Sequence, residues 1–568
     1  MSTHLDKAIR TASNHLLSYQ GSDGSFHGAV DFHIWANAAY LLLVDHLGIN
    51  HDKKPQLISW VVRHQNPDGS WGDLTEKSAG NYRNTLLALA SVREYLPSEQ
   101  IEKATSWIHA FQGNKWLDPY TELFLSIREN LTIHSPPIFL SFIPEKLGRI
   151  FGKLHMKVPV LFSWSIFLFP SAWTRNAFPP LQIVSTLKNK RKLNFLYRNA
   201  IKHAEKKILE LQLENGSWFD TALPTMGSIY ALHALNYPLG DPRLVHGLEF
   251  LRDLVGERGN LSRFFLTVWD TSFSIMALCE SGMASGGPTL KKAENFLLNA
   301  QTSKGGWAFG LYNRELPDND DTSLAILALN RISVENRQAI CSGIKFLLKM
   351  QNYDGGWGAF DRNQSYKKPG RMPPYHEDYG HELKDPSTAD VVGHVLQALG
   401  EAGYSNKSSK QIRKAIKWLM KDQTEFGGWW GRWGICYIYG TTQALCGLKA
   451  AGENMQSKYV LRAVNWLKSI QNADGGWGEH YSSYYSANPI LTESTVEQTS
   501  WALLALLDSG LDTSSDIIKN GINFLLQRQR NDGSFPSAYT AAAIDPGRYE
   551  IYAVVFPLYV LAKYRKLT

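Results

Sequence analysis

The chain repeats one arrangement of hydrophobic and polar positions. A stretch with apolar residues at helical spacing, such as Gly343 to Met350, is followed by Gln, a short polar turn, Gly and an aromatic residue, and then by a second apolar stretch. The alternation of apolar and polar residues that is typical of strands is nearly absent. The pattern therefore predicts helix, turn, helix units and an all-α fold.

The turn phrase of this repeat returns eight times, and its copies begin at Gln20, Gln65, Gln212, Gln301, Gln351, Gln423, Gln471 and Gln529. A helical pair that must bury its apolar face stacks on its neighbours. Because the glutamines are irregularly spaced, we expect closed, double-layered helical toroids rather than an open solenoid. We assign the repeat to structure: the Gln hydrogen-bonds exposed backbone at helix ends, and the aromatic ring covers the turn.

Length and composition narrow the class of protein. The chain has 568 residues, of which 44% are hydrophobic, and this length predicts two or more domains. Four scattered cysteines exclude a disulfide framework and a CxxC zinc site, and Met1 to Lys7 lack the layout of a secretory signal, so an intracellular protein is expected. The net charge of +7 is compatible with a nucleic-acid partner, with an anionic membrane or with neither, so charge alone does not identify a partner.

Three acids stand within four positions in the segment 318–322, which reads DNDDT and precedes the apolar run 324–329. Like charges this close raise at least one pKa, so one carboxyl can stay protonated near neutral pH and act as a proton donor. Two other interpretations remain open for this segment. Asp321 or Thr322 could cap the helix, or paired acids could hold Mg2+, although no EF-hand spacing follows.

The repeat and the acid segment together resemble the squalene-hopene cyclase family of class II terpene cyclases over nearly the whole chain. That family has glutamine-tryptophan repeats and an Asp-x-Asp-Asp-Thr motif. Three further segments match it in the expected order, namely 268–271 (VWDT), 385–396 (DPSTADVVGHVL) and 431–441 (GRWGICYIYGT). The resemblance favours proton donation over capping and over metal binding.

The resemblance implies an all-α fold of two α/α-barrels, which are double-layered helical toroids, one inserted in the other and enclosing a central apolar cavity. It implies a catalytic barrel formed by residues 1–30 and 265–568. The inserted barrel would then comprise residues 31–264.

The resemblance also assigns the acid network. Asp320 matches the central aspartate and is the expected proton donor, and His394 matches the histidine that hydrogen-bonds it. Asp390 lies four residues before His394 and hence on the same helix face. The acids Asp318, Asp321 and Asp270 complete the expected network.

Aromatic rings stabilise a carbocation without capturing it, whereas water would quench it. By resemblance the rings expected to bind substrate and cation are Trp269, Phe309, Phe360, Trp433, Tyr439, Trp173, Tyr549 and Tyr552. The alternative for each ring is an ordinary place in the hydrophobic core.

The segment 158–172 is uncharged, but its fifteen residues contain Pro159 and Pro170, so it is too short and too broken to span a bilayer. With basic residues on both sides, it is expected to lie in a membrane interface. A buried core helix is the alternative. The resemblance implies peripheral, monotopic contact with the cytoplasmic face of a membrane through the region near 135–175, no nucleic-acid partner, and compatibility with a homodimer.

The reaction implied by the resemblance starts when Asp320 protonates a terminal alkene of squalene or another long linear isoprenoid. Cationic polycyclisation and then deprotonation or water capture would follow, without cofactor or metal. Hopanoid-forming relatives carry a Gln shortly after the repeat that ends here at Trp218, whereas this chain continues with Phe219 and Asp220. The product therefore stays open. A class II cyclase of a prenyl diphosphate and a non-enzymatic helical toroid that binds a partner remain as alternatives.

Overall fold

The computed structural model describes residues 2–32, 34–73, 78–113, 115, 117–129, 131–135, 138, 172–189, 194–363, 385–543 and 545–568. This part of the chain is mainly helical, so the all-α prediction is confirmed. The chain divides into two compact units. The first unit comprises Met1–Ala29 and Leu266–Thr568, and the second comprises Val30–Phe265.

The helices in chain order are α1 Ser2–Leu17, α2 Ile34–Leu47, α3 Lys54–Arg63, α4 Tyr82–Val92, α5 Ser98–Ala110, α6 Pro119–Leu125, α7 Ala172–Asn189, α8 Phe195–Leu211, α9 Ala222–Ala234, α10 Pro242–Asp253, α11 Thr267–Ser281, α12 Pro288–Ala300, α13 Asn319–Ile332, α14 Arg337–Met350, α15 Ala389–Glu401, α16 Lys410–Asp422, α17 Tyr437–Ala450, α18 Lys458–Ser469, α19 Val496–Asp508, α20 Asp516–Arg528 and α21 Tyr552–Leu567. The strands are β1 Val30–Phe32, β2 Trp477–Glu479, β3 Leu491–Thr495, β4 Tyr539–Ala543 and β5 Asp545–Tyr549. Strand β2 pairs antiparallel with β3, and β4 pairs antiparallel with β5.

The inner layer of the first unit is a closed ring of helices. In order around the ring, α11, α13, α15, α17, α19 and α21 each pack on the next, and α21 packs on α11. These helices are buried on all sides along most of their length, as shown by Asn319 to Leu329 in α13 and Val496 to Leu507 in α19. A helix with neighbours on every side needs apolar or internally satisfied side chains all round, which matches these sequences.

The outer layer of the first unit consists of α1, α12, α14, α16, α18 and α20, each of which packs on inner helices. These helices are amphipathic: α16 buries Ile412, Ile416 and Leu419 and exposes lysines on its other face. Helix α1 packs on both α11 and α21, so the amino-terminal residues complete the outer layer of this unit.

In the second unit, the described inner helices also form a ring, in which α2, α4, α6, α7 and α9 pack successively and α9 returns to α2. Outside them, α3 packs on α2 and α4, α5 on α4, α8 on α7 and α10 on α9. The apolar segment near 135–175 lies almost wholly outside the described residues. None of the described helices has the length and apolar character that crossing a bilayer requires.

The glutamines of the repeat connect one outer helix to another. Gln351, directly after α14, donates from Nε2 to the carbonyls of Gly355 and Gln411, each at 2.9 Å, and Gln411 lies in α16. The corresponding second acceptors for the other copies are Thr289 for Gln20, Gln100 for Gln65, Arg243 for Gln212, Ala339 for Gln301, Tyr459 for Gln423, Ile517 for Gln471 and Ala8 for Gln529. In the first unit these bonds therefore run around the whole outer layer and close on α1.

The glycine and tryptophan of the repeat fix the turn itself. Trp357 is fully buried, and its Nε1 donates to the carbonyl of Leu347 at 2.8 Å. Gly355 has φ +103, and a Cβ at this position would lie 2.8 Å from the carbonyl oxygen of Lys414 in α16. Only glycine meets both conditions without strain.

Candidate active site

The acid segment lies at the amino-terminal end of α13, inside the ring of the first unit. Asp318 is the N-cap, and its Oδ1 accepts a hydrogen bond from the backbone N–H of Asp321 at 2.7 Å. Asn319 donates from its backbone N to Ala359 at 2.7 Å and from Nδ2 to Gly358 at 2.8 Å. Capping therefore accounts for Asp318, and Asn319 ties the helix end to the segment before Phe360.

The carboxylate of Asp320 contacts the neighbouring helix. Its Oδ1 lies 2.7 Å from Nδ1 of His394 in α15, and both side chains are buried. Burial raises the pKa of Asp320, whereas the charge and hydrogen bond of His394 lower it and the charges of Asp390 and Asp385 raise it. The net direction is upward, so Asp320 keeps its proton at a higher pH than an exposed aspartate does.

Asp318 and Asp321 flank Asp320 in sequence, and both are buried. Burial raises the pKa of each carboxyl well above its ordinary value, and the negative charge of the neighbouring acids raises it further. Three adjacent carboxyls in one dry site cannot all be ionised, so protons are retained among them.

Asp270, in the first turn of α11, is fully buried. Its Oδ2 accepts from the backbone N of Gly28 at 2.9 Å, and the hydroxyl of Tyr549 donates to Oδ1. Burial raises the pKa of Asp270 to about 8, although these two hydrogen bonds act to lower it. The adjacent Trp269 donates from Nε1 to the hydroxyl of Tyr552 at 2.8 Å. Tyr549 and Tyr552 are therefore bonded to residues of α11.

Asp390 shares α15 with His394, but its hydrogen bonds go elsewhere. Its Oδ2 accepts from the backbone N of Arg432 and of Trp433, both at 2.8 Å, and its Oδ1 accepts from Val391 at 3.0 Å. Asp390 therefore bonds the loop that carries Trp433, and its expected place in the acid network stays a prediction.

The candidate aromatic rings of the first unit form two groups, one of which contacts His394. In one group the ring of Phe360 meets Phe309 at 6.1 Å and Trp433 at 6.0 Å between centroids, both edge to face. In the other group the rings of Trp269 and Tyr439 lie 5.8 and 6.2 Å from the ring of His394. Edge-to-face packing fixes these rings relative to one another.

Trp173 is not brought to this site by any described contact. It belongs to α7 in the second unit, and its side chain lies outside the described part of the chain.

Two buried carboxylates that hold loops were not predicted from the sequence. Asp385 accepts from the backbone N of Ala359, Phe360 and Asp361 at 3.0, 2.5 and 2.7 Å. Glu479 accepts from the three backbone amides of residues 436–438, at 3.0 to 3.1 Å, where α17 begins. Asp385 lies in the matched segment 385–396, which was a usable signal. No feature of the sequence identified Glu479.

Rings supplied by inner helices were also not predicted from the sequence. Phe273 lies one helical turn after Trp269, with its ring 6.3 Å from that of His394. Trp501 in α19 is fully buried and lies 4.7 Å from Tyr439. The spacing from Trp269 could have identified Phe273, whereas the place of Trp501 depends on the ring of helices.

A small cavity lies beside His394, further along the axis of the ring. It is lined by His394, Gln397, Gln443, Tyr559, Phe273, Met276, Leu324, Leu504, Val555 and Phe556. The Nε2 atom of His394 is buried and has no hydrogen-bond partner among the described residues. Gln397 donates to Gln443 at 3.2 Å, and both side chains contribute polar atoms to the lining of the cavity. Among the described residues, no group of three or more His, Cys, Asp or Glu is placed to hold a metal ion.

A double-layered helical barrel that buries a carboxyl-imidazole pair among aromatic rings is the arrangement of class II terpene cyclases. Residues 266–566 match the family model "Squalene-hopene cyclase C-terminal domain", and residues 9–147 and 154–260 match "Squalene-hopene cyclase N-terminal domain". The chain therefore belongs to the squalene-hopene cyclase family and is a terpene cyclase, which confirms both predictions from the sequence.

Individual relatives agree along nearly the full length. The chain is 30% identical to squalene-hopene cyclase of Alicyclobacillus acidocaldarius, over 99% of this chain and 97% of that protein. It is 31% identical to sporulenol synthase of Bacillus subtilis, over 96% of this chain and 95% of that protein. Among solved structures, ent-copalyl diphosphate synthase from Streptomyces platensis has a TM-score of 0.57 at 16% identity, covering 99% of this chain and all of that one, and so shares the fold.

Proposed function

We propose that this enzyme protonates the terminal alkene of a long linear isoprenoid, squalene or a polyprene of similar length, and guides the resulting cation through polycyclisation. The observation that carries the proposal is the hydrogen bond between Asp320 and His394, buried among aromatic rings. An isolated alkene is a weak base, so its protonation needs a strong acid in a dry site.

Asp320 is the proposed donor. Its proton forms a bond to one alkene carbon by using the π electron pair, and the positive charge remains on the other, more substituted carbon. The carboxylate left behind accepts the Nδ1–H of His394, which stabilises it at the moment it forms. Asp318, Asp321 and Asp270 support this step by keeping protons within the same network.

The aromatic rings are proposed to stabilise the cation as it moves along the folded substrate. Ring faces attract positive charge, whereas they add no nucleophile that would end the reaction. Phe309, Phe360 and Trp433 form one contiguous group for this role. Trp269 and Tyr439, beside His394, form the second.

Each turnover ends with loss of a proton from the cation or with capture of water, and Asp320 must be protonated again. We propose that the proton returns through the cavity lined by Gln397, Gln443 and Tyr559. His394 separates that cavity from Asp320, and its Nε2 is available to a water molecule there.

We further propose that the apolar region near 135–175 attaches the protein peripherally to the cytoplasmic face of a membrane. The uncharged segment 158–172 and its basic flanks support this. At the start of α8, close by in sequence, Phe195 and Leu196 are 75% and 59% exposed. Replacing both with serine should weaken co-sedimentation with neutral lipid vesicles. Unchanged binding would contradict this attachment.

The main experiment feeds squalene and linear polyprenes of other lengths to the purified protein in detergent and identifies products by mass spectrometry. We expect a cyclised hydrocarbon or alcohol without added metal, and none from Asp320→Asn. Asp354→Asn is the matched control, because Asp354 lies in a turn and its hydrogen bonds within the described part of the chain go to Gly356 and Ser387. Equal product from Asp320→Asn would refute the role of this acid. Activity that EDTA abolishes and that requires a diphosphate would favour a prenyl diphosphate cyclase instead.

A further inference from the structure

Three outer helices of the first unit account for the net excess of positive charge in the chain. Helices α14, α16 and α18 contain eleven Lys or Arg and a single acid, Asp422. Because the whole chain has a formal charge of +7, the remaining residues together are net negative. The cations, named here the basic band, are Arg337, Lys345, Lys349, Lys410, Arg413, Lys414, Lys417, Lys421, Lys458, Arg462 and Lys468.

The basic band is continuous because its three helices follow one another head to tail. Gln351, after α14, bonds the carbonyl of Gln411 at the start of α16 at 2.9 Å. Gln423, after α16, bonds the carbonyl of Tyr459 at the start of α18 at 2.8 Å. The glutamine bonds that stabilise the outer layer therefore also align the charges of three separate sequence segments on one arc.

Within the described part of the chain, no acid pairs with the cations of the band. Ten of the eleven side chains are exposed and Lys468 is half-buried. None of them forms an ion pair with an acid of the described chain, and their polar contacts are to carbonyl and amide oxygens, as for Arg413 with Asn406 and Arg462 with Gln423. Elsewhere in the outer layer such pairs do occur, for example between Lys291 and Glu294 in α12.

Large apolar side chains are exposed on the same arc. Tyr353, in the turn after α14, is 72% exposed, Met420 in α16 is 52% exposed, and Leu461 in α18 is 36% exposed. Exposing these apolar side chains to water has an energetic cost. A lipid headgroup region accommodates a surface on which cations and apolar side chains are mixed.

We propose that the basic band binds the surface of an anionic lipid bilayer. This inference rests on the proposed function, since a water-insoluble isoprenoid is held in a bilayer. The surface belongs to the first unit, whereas the apolar region near 135–175 belongs to the sequence of the second. The interleaved apolar tips favour a bilayer over a nucleic acid, whose backbone offers charge but no apolar layer.

The test is co-sedimentation of the full chain with vesicles of phosphatidylcholine alone and of phosphatidylcholine mixed with phosphatidylglycerol, at low and high salt. The band variant carries Lys414→Glu, Lys417→Glu and Lys421→Glu. The control carries Lys7→Glu, Lys292→Glu and Lys519→Glu, which are exposed on α1, α12 and α20 and change the net charge equally. Thermal unfolding and activity on detergent-dissolved substrate should be unchanged in both.

We expect wild type to prefer the anionic vesicles and to lose that preference at high salt. The band variant should bind the anionic vesicles on the order of 100-fold more weakly, from the contribution of each lysine near an anionic surface, and the control within about threefold of wild type. Three outcomes would each overturn the inference: equal weakening of binding by both variants, no preference of wild type for anionic lipid, and displacement of the vesicles by duplex DNA. The vesicles contain no isoprenoid, so vesicle binding is measured independently of catalysis. Absence of cyclase activity would therefore refute the proposed function without affecting the result on vesicle binding.

Discussion

The carboxylate of Asp390 accepts the backbone N–H of Trp433 at 2.8 Å, across 43 positions of sequence. Asp385 does the same for Phe360 at 2.5 Å, and Glu479 bonds the first turn of α17, which carries Tyr439. These four buried acids of the first unit thus have two kinds of contact: Asp320 bonds an imidazole, whereas the other three bond backbone at or beside aromatic residues. Catalysis of cyclisation would need both, because proton transfer and ring placement are separate tasks.

Asp390→Ala should destabilise the protein and alter its products. The change leaves the buried amides of Arg432 and Trp433 without an acceptor, at a cost of about 1–3 kcal/mol each. Chemical denaturation should show this loss, and mass spectrometry should show more partly cyclised product because Trp433 is less well fixed. Asp390→Asn keeps one acceptor oxygen, so its stability and product distribution should lie between those of wild type and of Asp390→Ala. If Asp390→Ala only slowed the reaction, with stability and product distribution unchanged, Asp390 would act on the proton instead.

His394→Phe should lower turnover at every pH. Its residual activity should persist to a higher pH than the activity of wild type does. His394 lowers the pKa of Asp320 through its charge and hydrogen bond, so its loss makes Asp320 a weaker acid that keeps its proton longer. Loss of a positioned acid-base partner costs about 10²- to 10⁴-fold in rate. The pH-rate profile is the measurement, with His480→Phe as control because the His480 imidazole bonds Ser482 in a half-buried turn and has no described contact with Asp320. A profile that moved to lower pH would contradict this coupling.

Stability should fall as the pH rises from about 4 to about 8, the interval between the ordinary pKa of an aspartate and the raised value of Asp270. A buried acid with a raised pKa contributes its full stability below the pKa of the unfolded chain, and this is lost as pH rises through the folded value. Asp270 alone removes up to about 1.4 kcal/mol per pH unit over this interval. Denaturation across pH should show the slope, and Asp270→Asn should reduce it. An equally steep slope in the variant would mean that Asp270 is ionised in the folded protein.

Gln351→Ala should lower the free energy of unfolding by about 1–3 kcal/mol, because it removes the hydrogen bonds to Gly355 and Gln411. Gln338→Ala is the matched control, since Gln338 is exposed on the same helix and its side chain makes no such link. Urea denaturation measures the free energy of unfolding of both variants and shows which of them is destabilised. Equal stability of both variants would show that packing alone holds α14 against α16.

Much of the architecture could be predicted from the sequence, because the helical period and the turn signals are local. The repeated Gln, Gly and Trp identified the turns, and Asp320 stood out by its neighbours in sequence. Spacing alone did not indicate the partners of Asp390. Its place four residues before His394 puts both on one helix face, but its carboxylate bonds the backbone of residues 432 and 433, more than forty positions further along the chain.

By itself the sequence determined the helices, the turns and the chemical type of the acid segment, since each depends on residues within one or two turns of one another. Tertiary structure decided which backbone each buried carboxylate holds, which rings surround His394, and that the cations of α14, α16 and α18 form one surface. These outcomes depend on the closure of the two helical layers, which brings together residues more than twenty positions apart, and no local pattern encodes that distance.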